Sequence, residues 1–331
     1  MVLNYRLLNV FSIDGVSFSG NPLCVFDRAF AEAPELSAAA MQAWARQFNL
    51  SESTFVTALT AGERQAGIRI FTPDHEMPFA GHPTLGTAHV VADLCSVSGA
   101  VAPVDSVTLT LPAGDIPVRR IEGGWQLRAN APRYREVSAT RLEVATALGV
   151  DPEAVIDGGT QWVDVGTEQL VVWLTDAEAV RSCVPSPRLM HEYLGEPGSP
   201  PQVYVWAWTG DVATDSAGAA HSGGGQSSAG QSSEGQSSAS TGGSATVEAR
   251  FFEAIGTAVG EDPATGSACA NLGGWLSGQG MRGLEVEVSQ GAAVHRPSRL
   301  LLTLDADGAI LVAGRVTEVG RGRVELPMDG G

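Results

Sequence analysis

The sequence predicts an α+β protein made of two similar halves, and three observations carry that prediction. The first is an echo: His82-Pro83-Thr84-Leu85-Gly86-Thr87-Ala88 recurs in outline as Asp262-Pro263-Ala264-Thr265-Gly266-Ser267-Ala268. Each copy runs polar residue, Pro, two residues, Gly, hydroxyl residue, Ala. The second is that short extended apolar runs predominate over helical stretches. The third is length, since 331 residues that are 44% hydrophobic suffice for two domains of about 150 residues each.

Along the first half, Tyr5 to Phe11 reads as a strand, followed by a Gly- and Ser-rich loop ending in Gly20-Asn21-Pro22 and a short strand from Leu23 to Phe26. Ser37 caps a predicted helix whose Met41, Trp44, Ala45 and Phe48 recur at i, i+3, i+4 and i+7, and this helix stops near Asn49. Thr54 to Ala58 is extended, so Glu52 sits where a helix gives way to a strand. Ile68 to Thr72 is a strand, Pro73 to Ala80 a loop, and Pro83 to about Leu94 the first of the paired helices. Strands follow at Ser106 to Leu111 and Trp125 to Leu127. The polar, Pro-containing segment from Ala129 to Ser138 is the expected boundary, dividing the chain into residues 1–128 and 129–331.

The second half opens with a helix from about Arg141 to Leu148, stopped by Gly149. Strands are expected at Trp162 to Val165, Leu170 to Leu174, Val203 to Trp208 and Ala245 to Phe252, before the second paired helix from Pro263 to about Leu276. Leu284 to Val288, Leu300 to Leu304 and Ile310 to Val316 complete the strands. Between two of them, about 210–243, lie three copies of Gly-Gln-Ser-Ser beginning at Gly225, Gly230 and Gly235. Such composition buries too little apolar area to offset its ordering entropy, and it reads as a disordered surface insertion without a catalytic role, His221 included.

Composition excludes several classes of function. A net charge of −17 repels phosphate backbones, so nucleic acid is not an expected partner. All 20 basic residues are Arg, which removes Schiff-base chemistry, pyridoxal phosphate attachment and a phosphate-loop lysine. Cys24, Cys95, Cys183 and Cys269 are scattered without a CxxC and read as buried small hydrophobes, with neither zinc nor disulfides expected. No run approaches the roughly 18 apolar residues of a membrane span, and the first 14 residues are too broken for a signal peptide, so the expectation is a cytoplasmic enzyme. Gly278, Gly280 and Gly283 satisfy GxGxxG, but they follow a helix and precede a strand, the reverse of a dinucleotide cradle.

The paired segments predict two helix starts with Pro at the first helical position, where its missing N–H costs nothing. Two such starts facing one cleft present unpaired N–H groups and the positive ends of two dipoles, a cradle for a carboxylate. Read alone, each segment is equally an ordinary turn between a strand and a helix. Read alone, too, Glu52 is a solvated residue at a strand start, Asp262 a helix cap, and Ser267 a plain helix residue. A metal site using His82 and His89 is not expected, since seven residues separate them by about 10 Å along a helix.

The segments Ser19-Gly20-Asn21-Pro22-Leu23-Cys24-Val25-Phe26, Asn49 to Val56, Arg69 to His89, Gly260 to Ala268 and Gln290 to Leu300 together resemble the phenazine-biosynthesis PhzF-like isomerase family, a branch of the diaminopimelate-epimerase-like fold. They occur in family order and span nearly the whole chain apart from the insertion. The resemblance implies two similar domains, each a mixed, mainly antiparallel β-sheet rolled around a central helix, with the active site between them. It implies a homodimer, no metal and no organic cofactor, and a small-molecule carboxylate as substrate. The phenazine-pathway enzyme isomerises trans-2,3-dihydro-3-hydroxyanthranilate by moving a hydrogen between ring carbons. Carried over by motif, Glu52 is the acid/base, His82, Asp262 and Ser267 surround the substrate, and Asn21, Gly81 and Gly266 complete the binding set.

The chemistry agrees with these residue types, because a hydrogen shift needs one group that both gives and accepts a proton, and a carboxyl in a partly apolar pocket is tuned toward that task. Diaminopimelate epimerases and proline racemases are similar in fold but use two facing thiols. Here the helix starts carry His82 and Asp262 and Cys269 lies a turn inside its helix, which disfavours that chemistry. His295 stands where the family usually has Gly and receives no role. An amino-acid epimerase or racemase remains an alternative, as does a non-catalytic carboxylate binder, against which Glu52 argues because a binder of anions gains nothing from a carboxylate.

Overall fold

The computed structural model describes residues 2–27, 36–97, 103–195, 199–210 and 245–325. The Gly-Gln-Ser-Ser copies, with most of the expected insertion, lie outside the described residues. The first half contains β1 (Val2–Val10), β2 (Asn21–Asp27), α1 (Ala38–Phe48), β3 (Glu52–Thr60), β4 (Gln65–Phe71), β5 (Glu76–Met77), α2 (Gly81–Val97), β6 (Ser106–Leu111), β7 (Gly114–Ile121) and β8 (Gly124–Arg128). The second begins with β9 (Arg133–Arg135), α3 (Arg141–Leu148), β10 (Val155–Asp164), β11 (Glu168–Leu174), α4 (Ala177–Ser182), α5 (Pro187–Leu194) and β12 (Gln202–Trp208). It continues through β13 (Ala245–Ile255), β14 (Ala258–Asp262), α6 (Gly266–Gly278), β15 (Leu284–Gln290), β16 (Ser298–Leu304), β17 (Ile310–Gly314) and β18 (Val316–Glu325).

Strand pairing is duplicated. β1 pairs antiparallel with β2, β2 parallel with β3, β3 antiparallel with β4, β4 parallel with β6, and β6, β7 and β8 follow antiparallel. The same sequence of directions runs through β10, β11, β12, β13, β15, β16 and β17. Each series gains an outer strand, β18 on β1 and β9 on β10. The two are joined where β8 pairs with β17. The fold is therefore α+β and sheet-dominated, with strands wrapped around a helix in each half. α2 touches β1, β2, β3, β4, β6, β7, β8 and β18, and α6 touches β10, β11, β16 and β17. Both helices are buried on nearly all sides, as their unbroken runs of small and apolar residues require, and both belong to one continuous hydrophobic core.

Local signals place several elements. Ser37 accepts from the Ala40 N–H at the start of α1, and Asn49 ends it in the left-handed conformation. The apolar stripe of α1 packs Met41, Trp44, Ala45 and Phe48 with Phe26 and Phe55. Thr140 and Glu143 form a reciprocal capping box on α3, which Gly149 closes at φ 69°. All four cysteines are buried and free. Among the described residues no helix is long and apolar enough to cross a membrane.

The expected position of the two prolines is corrected. α2 begins at Gly81, so Pro83 is its third residue, because the Thr84 N–H and hydroxyl both donate to the Ala80 carbonyl and pull the first turn forward. α6 begins only at Gly266, leaving Pro263 outside the helix. There β14 stays in its ladder through Asp262, opposite Phe251, and Gln290 Nε2 donates to the Asp262 carbonyl at 2.8 Å. The echoed sequences thus have different helical registers.

Candidate active site

Glu52 is the first residue of β3, paired with Leu23 of β2, and the residues that follow it, Ser53 to Val56, are buried. That head-of-strand position carries a carboxyl into the interior with its side chain 16% exposed. Burial above all, then the negative charges of Asp262 and Glu253, lifts the Glu52 carboxyl to about 8. His82, the second residue of α2, brings Nε2 to 3.5 Å from Glu52 Oε2. Burial pushes its imidazole down to about 3, against the opposing effect of a hydrogen bond to the Pro22 carbonyl. Near neutral pH both groups are therefore uncharged and do not form an ion pair. Glu52 Oε2 and His82 Nε2 are each buried without a hydrogen-bond partner. A buried polar atom left unpaired costs about 1–3 kcal/mol, so two such atoms side by side mark a place built for a third group.

Asn21 opens β2 directly after Gly20, whose φ of 84° and whose closeness to the Val10 carbonyl, 2.6 Å from an added Cβ, exclude any side chain. The Arg296 guanidinium donates to the Gly20 carbonyl at 3.0 Å, so the loop is held from the second half of the chain. Asn21 Nδ2 donates to Asp262 Oδ1 at 2.9 Å and to the Ala264 carbonyl at 3.0 Å, and it lies 3.5 Å from His82 Nδ1. Its Oδ1 is likewise buried and unpartnered. Asp262 Oδ2 accepts from Thr265 Oγ1 at 2.6 Å. Burial raises the Asp262 carboxyl, while the hydrogen bonds from Thr265 and Asn21 oppose that rise.

The starts of α2 and α6 meet backbone to backbone. A Cβ added to Gly81 would lie 3.5 Å from Gly266 Cα and 3.7 Å from the Ser267 nitrogen. The first-turn N–H groups of both helices have no partner within their own helix, so two positive helix ends converge beside Glu52 and Asp262. Ser267 lies in the first turn of α6, and its Oγ accepts from Gln169 Nε2 at 3.1 Å. Its counterpart Thr87 is buried and shares a 2.8 Å hydrogen bond with Thr54.

Glu52, His82, Asn21 and Asp262 are thus in one cluster at the meeting of the helix starts, with Gly81, Gly266 and Ser267 lining those starts. Sequence reading missed Gln169, Gln202, Glu253 and Gln290. Gln169 Nε2 also donates to Gln202 Oε1 at 3.2 Å, and Gln202 Nε2 donates to Glu253 Oε1 at 2.8 Å. Gln290 holds the turn after β14 through Asp262 and Thr265. The duplication itself carried a signal for Gln202, which opens β12 as Glu52 opens β3. Gln290 opens a segment already singled out by resemblance. His295 is exposed in a left-handed turn.

This arrangement has relatives among known proteins. The model of the phenazine biosynthesis-like family, PhzC-PhzF, matches residues 10–205 and 226–322. A Pasteurella multocida protein named as an uncharacterized isomerase is 31% identical over 98% of this chain and 94% of its own length. The trans-2,3-dihydro-3-hydroxyanthranilate isomerase of Pseudomonas aeruginosa is 28% identical, over 97% of this chain and 99% of that enzyme. A Bacillus anthracis phenazine biosynthesis protein of the PhzF family superposes with a TM-score of 0.72 at 20% identity, covering 98% of this chain and all of that one. The fold is thus that of an isomerase family. The chain belongs to the PhzC-PhzF family of phenazine biosynthesis-like proteins.

Proposed function

We propose that this protein is a cofactor-independent isomerase that moves a proton between two carbons of a small carboxylate resembling trans-2,3-dihydro-3-hydroxyanthranilate, with Glu52 as acid and base. The observation that carries the reading is the adjacent pair of buried, unpartnered atoms, Glu52 Oε2 and His82 Nε2, at the junction of two helix starts. Glu52 as carboxylate takes a proton from one carbon, the electron pair delocalises through the conjugated system, and the same carboxyl returns the proton to a second carbon. Atoms and charge balance over the cycle, as an isomerisation requires. A carboxyl near 8 loses and regains a proton at small cost around neutral pH. Neutral His82 and Asn21 Oδ1 hold the substrate's polar groups, Asp262 fixes Asn21, and Ser267 with the first turn of α6 receives the carboxylate.

We further propose a division between domains at residues 128 and 129, with β18 pairing back onto β1 of the first sheet, and a cytoplasmic homodimer that sedimentation would check. Its direct test is incubation with trans-2,3-dihydro-3-hydroxyanthranilate in deuterated water, followed by absorbance and by NMR of the product. Turnover by the wild type that is lost in Glu52→Gln is expected. Equal turnover by both proteins overturns the role of Glu52, and no turnover by either removes this substrate.

A further inference from the structure

One hydrogen-bonded chain of amides lies behind Ser267, and its direction is forced from both ends. The Val165 backbone N–H, which can only donate, gives to Asn271 Oδ1 at 3.0 Å. Asn271 Nδ2 therefore faces outward and donates to the Thr167 carbonyl at 2.9 Å and to Gln169 Oε1 at 2.8 Å. That leaves Gln169 Nε2 as the donor to Ser267 Oγ at 3.1 Å and to Gln202 Oε1 at 3.2 Å. At the far end Gln202 Nε2 donates to the Glu253 carboxylate. Every amide in the chain is oriented, because reversing one would set donor against donor or acceptor against acceptor at its neighbour. Gln169 and Asn271 are buried, so water does not substitute for a lost link.

The consequence falls on Ser267. An amide NH2 cannot accept, so Ser267 Oγ must, and the hydroxyl proton is then turned away from Gln169. Among the described residues none accepts a hydrogen bond from Ser267 Oγ, and Ser267 is only half-buried. We propose that Gln169 is a positioning residue that sets the Ser267 hydroxyl as a donor, making the α6 start selective for a group that only accepts, a carboxylate, over its isosteric carboxamide. This rests on the reading of Ser267 as a substrate contact. Thr87, the echoed residue, has no such arrangement, since its hydroxyl is fully buried against Thr54 and is closed to any ligand. The carboxylate therefore belongs to the α6 side of the paired starts.

The test uses anthranilate and anthranilamide as probes, with calorimetric titration of the full-length protein. Wild type is expected to favour anthranilate by tenfold or more. In Gln169→Glu the side chain has no NH2 to donate, Ser267 turns its proton inward, and the preference is expected to fall at least tenfold. Gln169→Met, which adds no charge, is expected to give an intermediate preference and serves if the first variant does not fold. Both are repeated with Ser267→Ala. If Gln169 acts through Ser267, its replacement then changes the preference less than twofold, whereas an undiminished loss there means that charge or misfolding acts directly and overturns the assignment. A wild-type preference left intact by both Gln169 variants overturns the role of Gln169 alone. A wild type without affinity for anthranilate, or without preference for it, overturns the carboxylate reading of the α6 start and this inference with it.

Discussion

In the first half β3 begins with Glu52, while β12, which holds the same place in the second half's pairing, begins with Gln202. Glu52 ends in an unpartnered oxygen beside His82, whereas both ends of the Gln202 amide are occupied, by Gln169 and Glu253. The hydroxyls diverge in the opposite sense. Thr87 is buried against Thr54, and Ser267 is oriented by Gln169 with its proton available. Backbone duplication supplies two converging helix starts, and side-chain divergence then splits the labour. In the proposed mechanism the first half holds the titrating group and the second holds the hydroxyl donor. A symmetric pair of acid/base groups, such as a two-thiol racemase needs, is absent from these equivalent strand and helix starts.

The strongest way to break this comparison is Glu52→Gln, which gives β3 the amide that β12 already has. Turnover is expected to fall about 10²–10⁴-fold, the usual contribution of a general acid–base group, with the fold retained as judged by circular dichroism. Activity within tenfold of wild type would remove the asymmetry as an explanation of function.

The same variant sharpens the comparison through pH. Glu52 titrates near 8 when folded but near 4.5 when unfolded, so the folded state binds the extra proton between these values. Stability contributed by the protonated form is complete below about 4.5 and is lost as pH rises through about 8. Glu52→Gln escapes that loss. Its melting temperature relative to wild type is expected to be near equal at pH 5 and clearly higher at pH 8.5, where the difference in unfolding free energy is on the order of 4 kcal/mol at about 1.36 kcal/mol per pH unit. His82 has the opposite sense, with its folded value depressed from 6.5 to about 3. The stability it contributes is present above 6.5 and is lost as pH falls toward 3, so His82→Gln is expected to flatten the acid limb of the melting profile.

Smaller effects separate the echoed glycines. A Cβ on Gly86 would meet Leu23 Cδ2 at 2.4 Å and Val10 Cγ2 at 2.9 Å, inside the core. On Gly266 the nearest atom is Cζ of Phe11 at 3.3 Å. Gly86→Ala is expected to cost about 1–3 kcal/mol of stability. Gly266→Ala is expected to melt within a few degrees of wild type while weakening ligand binding at the helix junction. Equal melting temperatures for the two variants would contradict the difference in helical register. Least of all, Thr87→Val is expected to cost about 1 kcal/mol of stability with KM unchanged, and Ser267→Ala to raise KM with stability unchanged; the reverse pattern would exchange their roles.

What was legible in the sequence follows from the range of each interaction. α1 and α3 were readable almost to the residue, because Ser37, Asn49 and Gly149 act within a few residues of what they cap. β7 was missed because only Val118 in it is buried, and Pro117, Arg119 and Arg120 mask its alternation. α4 and α5 are short, and β5 and β14 are small strands before the paired helices, defined by pairing with β4 and β13 rather than by their own pattern. In the site, Glu52, His82 and Asp262 were legible through motifs, whereas Gln169 and Glu253 carry no local mark. Each matters through partners 98 and 51 residues away in the chain, Ser267 and Gln202.

By itself the sequence determined the class of fold, the duplication, the caps and the residue types at the paired starts, since these depend on periodicity and short-range hydrogen bonding. Tertiary structure alone decided where each helix begins, which of two equivalent hydroxyls is available, and that burial makes Glu52 a weak acid and His82 a weak base. The physical reason is that those properties come from desolvation and from hydrogen bonds between strands and helices that meet only after folding.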